Sequence, residues 1–231
     1  MEIDNIPNSL VESLKNDDLD SLAKEGLELT IDSLLDDGIV KNIPVISSVA
    51  ALVKTTNSIG NWIFLRKIIN FLKESKDVSL EKRQKMIDKI NNKDKFRHKV
   101  GDYLLYLLDH SENDIKASNI GWAFRAFLEE NISYEDFIRC ANVINSLSII
   151  DFYEFINPNR NYDYNDSLFI GNGLLISYTA PTEYDVVASS ALNQPYLKGG
   201  EPVVELTKLG ETLKRIFKDR YNFEKANNPL W

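Results

Sequence analysis

The sequence predicts a mainly α-helical protein, a helical bundle ending in a winged-helix-like region with a short β-hairpin. Three observations carry that expectation. Apolar residues recur at helical spacing through most of the first 150 positions. Only two of the seven prolines, Pro7 and Pro44, lie in that stretch. Strand-like runs are confined to the part of the chain beyond Pro158. At 231 residues with 43% hydrophobic side chains, the chain can build a packed core, as one large domain or two small ones. The expected division is a helical, oligomerising or membrane-active region over 1–110 and a winged-helix-like domain over 111–231.

Taken in order, Leu10 and Leu14 share a helical face. Leu19, Leu22, Leu29 and Leu35 then recur near helical spacing behind a capping Asp17 or Asp18, and Gly38 ends the run. Pro44 suits a first helical turn, and no proline follows before Leu72, so a long helix, or a helical pair broken near Gly60, is predicted. On a continuous helix Ser47, Lys54, Ser58 and Asn61 form one narrow polar stripe. Val45, Val49, Leu52, Val53, Ile59, Ile63 and Phe64 lie opposite. Lys54-Thr55-Thr56-Asn57-Ser58 is too polar for a lone transmembrane span. Two readings remain open: the core helix of a soluble bundle, or a pore lining shared among subunits. The apolar face is wider than one small domain needs, so a homo-oligomer through Val45 to Leu72 is expected.

Ser79 is placed to cap a basic helix reaching Ile90, and Phe96 to Leu108 forms another, with Val100, Tyr103, Leu104 and Leu107 on one face. Ser111 and Ser133 each stand three residues before an aspartate, Asp114 and Asp136, as in a capping box. The two helices that follow carry Trp122, Phe124 and Phe127, then Phe137, Ala141, Ile144 and Leu147, which read as core. Asn159 to Ser167 has loop composition. Leu174 to Tyr178 and Pro202 to Leu206 are strand candidates, and Thr207 caps a last helix bearing Leu209, Leu213, Ile216 and Phe217. Helices, a hairpin and a helix over Glu112 to Phe217 resemble the end of a winged-helix domain, although Thr179 to Glu201 is much longer than a usual wing.

The formal charge of −8 disfavours wholesale adhesion to duplex nucleic acid. Its distribution is uneven, because Arg66 to Lys99 holds twelve basic and five acidic residues, a net of +7. Lys82, Arg83, Lys85, Lys89 and Arg97 are the candidate anion ligands in this belt. A solvated helix face paired with nearby carboxylates is the other reading.

Catalytic and metal signatures are missing from the sequence. His98, His110 and Cys140 fit no zinc spacing, and Asp163 to Ser167 opens like a calcium loop but has Leu168 where glycine is needed. Gly171-Asn172-Gly173 completes no phosphate-binding fingerprint, and Cys140 shares an apolar face with Phe137 and Ile144. The expectation is a non-enzyme with no cofactor, no metal and no catalytic residue. The lone cysteine, and a first segment Met1-Glu2-Ile3-Asp4 without a basic patch, point to the cytoplasm.

One wider resemblance rests on three segments: Ile43-Pro44-Val45-Ile46-Ser47 opening an amphipathic helix, Trp62 to Leu72, and the basic helix Leu80 to Ile90. Together they resemble small bacterial proteins of anti-phage operons, in outline the membrane-acting Hailong-type effectors paired with a nucleotidyltransferase. The resemblance implies an oligomer that packs its amphipathic segment away and binds a nucleic-acid-like, oligonucleotide ligand. Once released from that inhibition, it permeabilises the inner membrane. A runner-up from another class is a soluble winged-helix regulator or adaptor that binds DNA or a protein, with Val45 to Leu72 as its dimer core.

Overall fold

The computed structural model describes residues 6–19, 42–56, 58–91, 100–192 and 194–227. The protein is mainly helical, with a small antiparallel sheet near the C-terminus, and it divides into two compact units at Ile150/Asp151. The division lies beyond the expected boundary at residue 110. The two helices that follow residue 110 join the first unit because their apolar faces pack on the helices before them.

In the first unit the helices are α1 (Ile6–Leu14), α2 (Pro44–Thr56), α3 (Ile59–Lys73), α4 (Leu80–Asn91), α5 (Val100–Asp109), α6 (Asp114–Leu128) and α7 (Tyr134–Ser146). The predicted helical pair over Val45 to Leu72 is present, but α2 ends at Thr56. Ser58, in extended conformation, caps α3 by accepting from Asn61 N. The break therefore precedes Gly60. The expected helix to Ile90 is α4, whose Lys82 N donates to Ser79 Oγ at 3.4 Å. At α7 Ser133 is the cap, with Asp136 N donating to Ser133 Oγ, and the Asp136 carboxylate accepts from that hydroxyl and not, as in a full capping box, from the cap's backbone amide. At α6 the cap is Asn113, accepting from Lys116 N, whereas the Ser111 hydroxyl turns back to donate to Leu108 O. Expected helical residues 22–35 and 96–99 lie outside the described ones.

The most extensive helix pairing is α3 against α6. At their crossing a Cβ on Gly121 would come within 2.6 Å of Phe71 O, so only glycine admits this approach. Phe71 and Phe124 meet beside it in a tilted pair with ring centroids 5.4 Å apart, and Phe124 meets Phe137 edge-on at 5.1 Å. Cys140, Ala141 and Ile144 complete the same buried face of α7.

The second unit holds all but the first two residues of α8 (Ile149–Ile156), then α9 (Ser167–Gly171), β1 (Leu175–Thr179), β2 (Glu183–Tyr184), α10 (Val186–Leu192), β3 (Leu197–Lys198), β4 (Pro202–Leu206) and α11 (Lys208–Asn227). β1 pairs with β4 and β2 with β3, both antiparallel. The expected short hairpin is thus the base of a longer ribbon. Thr207 caps α11 as expected, accepting from Gly210 N at 3.1 Å, and its hydroxyl donates to Gly173 O at 2.7 Å. Phe152, Phe155, Phe169, Leu213 and Phe217 form the core.

Arg83 of α4 is only 1% exposed. Its guanidinium donates to Val78 O at 3.0 Å, Leu14 O at 3.1 Å and Asn16 O at 2.7 Å, closing the C-terminus of α1 from another helix. Arg83→Met should therefore lower the unfolding free energy by about 2–4 kcal/mol in urea titration, because buried carbonyls lose charged donors. Lys82→Met, exposed on the next position, should change it by less than about 0.5 kcal/mol.

Candidate functional site

Two surfaces of the first unit gather the residues that the sequence singles out. The first is the α2–α3 elbow. Val45, Val49 and Val53 are core, Leu52 and Phe64 are half-buried, and Lys54 and Ile63 are exposed. A single stripe of Ser47, Lys54, Ser58 and Asn61 is not formed, because the chain breaks between the helices and the helical phase restarts at Ser58. Ser47 and Lys54 still share a line along α2, seven residues apart. Ser58 is instead a cap, and Asn61 Nδ2 donates to Thr56 Oγ1 at 2.9 Å across the break. Ile59, 78% exposed at the elbow, has no apolar cover. No described helix is long and apolar enough to cross a membrane.

α2 is held on α1 by polar as well as apolar contacts. The Ser13 hydroxyl accepts from Val45 N at 2.9 Å, satisfying an amide that the first turn of α2 leaves without a helical partner, and it donates to Ser9 O at 2.7 Å. Ser48 Oγ lies 3.4 Å from Ser9 Oγ. This serine seam was not read from the sequence, since its members are separated by more than thirty positions. The only available signal was the recurrence of serine on otherwise apolar faces.

The second surface is the outer face of α4. Lys82, Lys85 and Lys89 are exposed there. Arg83 does not belong with them, because its guanidinium is buried and engaged with backbone carbonyls, which leaves no donor facing an external anion. Arg97 lies outside the described residues. Lys85 Nζ and Lys89 Nζ lie 3.3 and 3.7 Å from the carboxylate of Glu130, and the hydrogen bond from Lys85 holds that carboxyl below its ordinary range. Elsewhere in the belt Arg66 pairs with Asp114, and Lys67 Nζ donates to Asp109 O at 3.1 Å. Among the described residues of the belt, Arg66, Lys67, Arg83, Lys85 and Lys89 therefore all have partners within the protein.

Glu130 has φ 63°, the only positive φ at a non-glycine residue among the described ones. It occupies the left-handed position after α6, where Glu130 N donates to Phe127 O and Asn131 N to Ala126 O, a position that favours glycine by roughly 1 kcal/mol. A glutamate is retained there, facing two lysines.

In the second unit Lys214 Nζ donates to Asn157 O and to Tyr162 Oη, each at 2.8 Å, and Tyr162 Oη donates to Phe155 O. Burial, then Arg160, lowers the Lys214 pKa, and burial raises that of Tyr162. Arg160 is joined to Glu154 at 3.0 Å and Asp166 at 2.7 Å. The cluster spends its donors on the end of α8 and on the Asp163 to Asp166 turn. It therefore reads as a helix terminus cap, and the would-be calcium loop is a turn whose aspartates bind backbone amides. Cys140 is buried, His110 stacks on Tyr106, and His98 lies outside the described residues. Among the described residues no cluster of His, Cys, Asp and Glu could hold a metal.

The α4 face offers a direct test. Glu130→Gln removes the carboxylate that competes with phosphate for Lys85 and Lys89. Fluorescence anisotropy should show a short single-stranded oligonucleotide binding several-fold more tightly, with a steeper salt dependence. Unchanged affinity together with an unchanged salt slope would remove this face as an anion site.

Comparison with protein-family models, with curated proteins and with solved structures gives no match, so the two surfaces are read from their own geometry.

Proposed function

We propose that the protein is a non-enzymatic effector of bacterial anti-phage defence, a homo-oligomer that stores an amphipathic helix in its bundle and permeabilises the inner membrane when that helix is released. The observation that carries this reading is the serine seam. α2 buries Val45, Ile46, Val49 and Val53 while resting on α1 through Ser9, Ser13 and Ser48. A polar seam weakens an interface relative to an all-apolar one, because water replaces its hydrogen bonds once it opens. The freed helix presents an apolar face with Lys54 and Ser47 on its other side, which suits a lining shared by several subunits. In this reading the ligand that holds the effector in check is a nucleic-acid-like oligonucleotide on Lys82, Lys85 and Lys89, supplied by a nucleotidyltransferase encoded nearby.

The second reading, a winged-helix regulator or adaptor with α2 and α3 as a dimer core, draws support from the paired ribbon followed by α11. A protein partner suits it better than DNA. Glu183, Asp185, Glu201 and Glu205 outnumber Lys198 along the ribbon, and phosphates repel such a surface.

The test locks α2 to α1. Ser9→Cys with Ser48→Cys replaces two neighbouring hydroxyls by thiols, while Cys140 stays buried out of reach. Oxidised protein should fail to leak dye from liposomes, and reductant should restore the leak. Lys54→Glu in the same assay should move ion preference from anions towards cations. Equal leakage from locked and reduced protein, or none from wild type under any condition, would sink the effector reading in favour of the regulator.

A further inference from the structure

The two strand pairs of the second unit keep one register. Leu175 faces Leu206 and Thr179 faces Pro202; further out, Glu183 faces Lys198 and Tyr184 faces Leu197. Between them Ala180 N donates to Glu201 O and Gly200 N to Ala180 O, so the pairing runs on across the interruption at Pro181. Gly199, at φ 100°, makes this possible: a Cβ there would fall 2.2 Å from Pro181 O. At about 3.3 Å per residue, the far end of the ribbon stands about 30 Å from its base.

The ribbon ends in α10 and the turn after it. From Val186 to Leu197 there is no charged residue, although Glu183, Asp185, Lys198 and Glu201 follow immediately on the ribbon side. Val186, Val187 and Leu192 are 64%, 80% and 52% exposed. At about 100° per residue they stand roughly 100–140° from one another around the helix, so they surround it instead of sharing a face. Tyr184 and Tyr196, also exposed, lie where the uncharged tip meets the charged ribbon.

The tip also closes its own backbone. Asp185 N donates to Tyr196 O, Ser189 N to Asp185 O and Gln194 N to Ser189 O. Ala188 N is taken by the Asp185 carboxylate and Tyr196 N by Ser189 Oγ at 2.8 Å.

We propose that this tip is a membrane anchor that enters the headgroup–acyl boundary of a lipid bilayer. A protein partner covers one side of a short helix, whereas a fluid interface covers every side, and the apolar residues of α10 point to every side. An apolar medium also requires backbone groups to be paired internally, and these five amides are so paired. Tyrosines at the boundary between an apolar tip and a charged stem suit the headgroup level. The acidic stem means that attraction comes from apolar burial and not from anionic lipid. This contact lies outside α2 and does not depend on the release of that helix.

Sedimentation of the full chain with vesicles tests the anchor. Wild type should sediment with phosphatidylcholine vesicles, phosphatidylglycerol should raise the bound fraction by no more than about twofold, and high salt should not reverse binding. Val187→Asp and Leu192→Asp should each lower partitioning by about tenfold or more, and Ile150→Asp, at a 73% exposed position of α8, should leave it within about twofold. An environment-sensitive dye on Val187→Cys, with the native Cys140 buried, should brighten and shift to the blue on vesicles. The proposal is overturned if wild type sediments with neither vesicle, or if Val187→Asp binds like wild type. It is equally overturned if scattering shows Val187→Asp dissolving an oligomer while vesicle binding is unchanged, which would assign the tip to a second copy. Loss of dye leakage with sedimentation intact bears on α2 and leaves the anchor standing.

Discussion

The close crossing of α3 and α6 is the constraint on which the first unit depends. Gly121 lets the backbone of α6 come against Phe71 O, and the rings of Phe71, Phe124 and Phe137 then pack in series, tilted and edge-on, from α3 to α7. A methyl group at that position would push the helices apart and open gaps among buried aromatic rings that make dispersion contacts on all sides. α2 packs chiefly on its neighbours α1 and α3, at the edge of this aromatic series.

The contrast between the two seams of the bundle follows from their side chains. Across α3 and α6 the contact is aromatic and backbone-close. Across α1 and α2 it contains Ser9, Ser13 and Ser48. Opening the first exposes large rings, whereas opening the second exposes hydroxyls that water solvates together with the smaller aliphatic side chains Val45, Ile46 and Val49. Arg83 strengthens the distinction by tying the end of α1 to α4 rather than to α2.

What the sequence made legible was local. The Ser133 cap, the Thr207 cap, the course of α4 from Ser79 and the burial of Cys140 depend on residues within one helical turn or on one helical face, and each is found as expected. What it hid was tertiary. Arg83 reads as one more cation in a basic run until its partners, Leu14 O and Asn16 O, arrive from about seventy residues away. Ser58 looked like part of a stripe because a helical wheel assumes an unbroken helix. Asn113 took the capping role assigned to Ser111 because the start of α6 was displaced by two residues. The constant register of the ribbon was illegible for a different reason: Pro181 and the Gly199-Gly200 pair look like loop punctuation, and only the pairing across them shows that they sit within a ladder.

The position of Glu130 links the two surfaces of the first unit. It ends α6, the helix that carries Gly121 and fixes α3, and it occupies the anion position opposite Lys85 and Lys89 on α4. A glycine would relieve its backbone but would leave two lysines unopposed on α4. A carboxylate there acts as a resident counterion, and any phosphate that takes its place must displace a group bonded through a rigid turn to the central helix. On the proposed reading, ligand occupancy of α4 is thus opposed by a charge already in place, and a ligand that bridges Lys82, Lys85 and Lys89 together makes more charge contacts than the one carboxylate does.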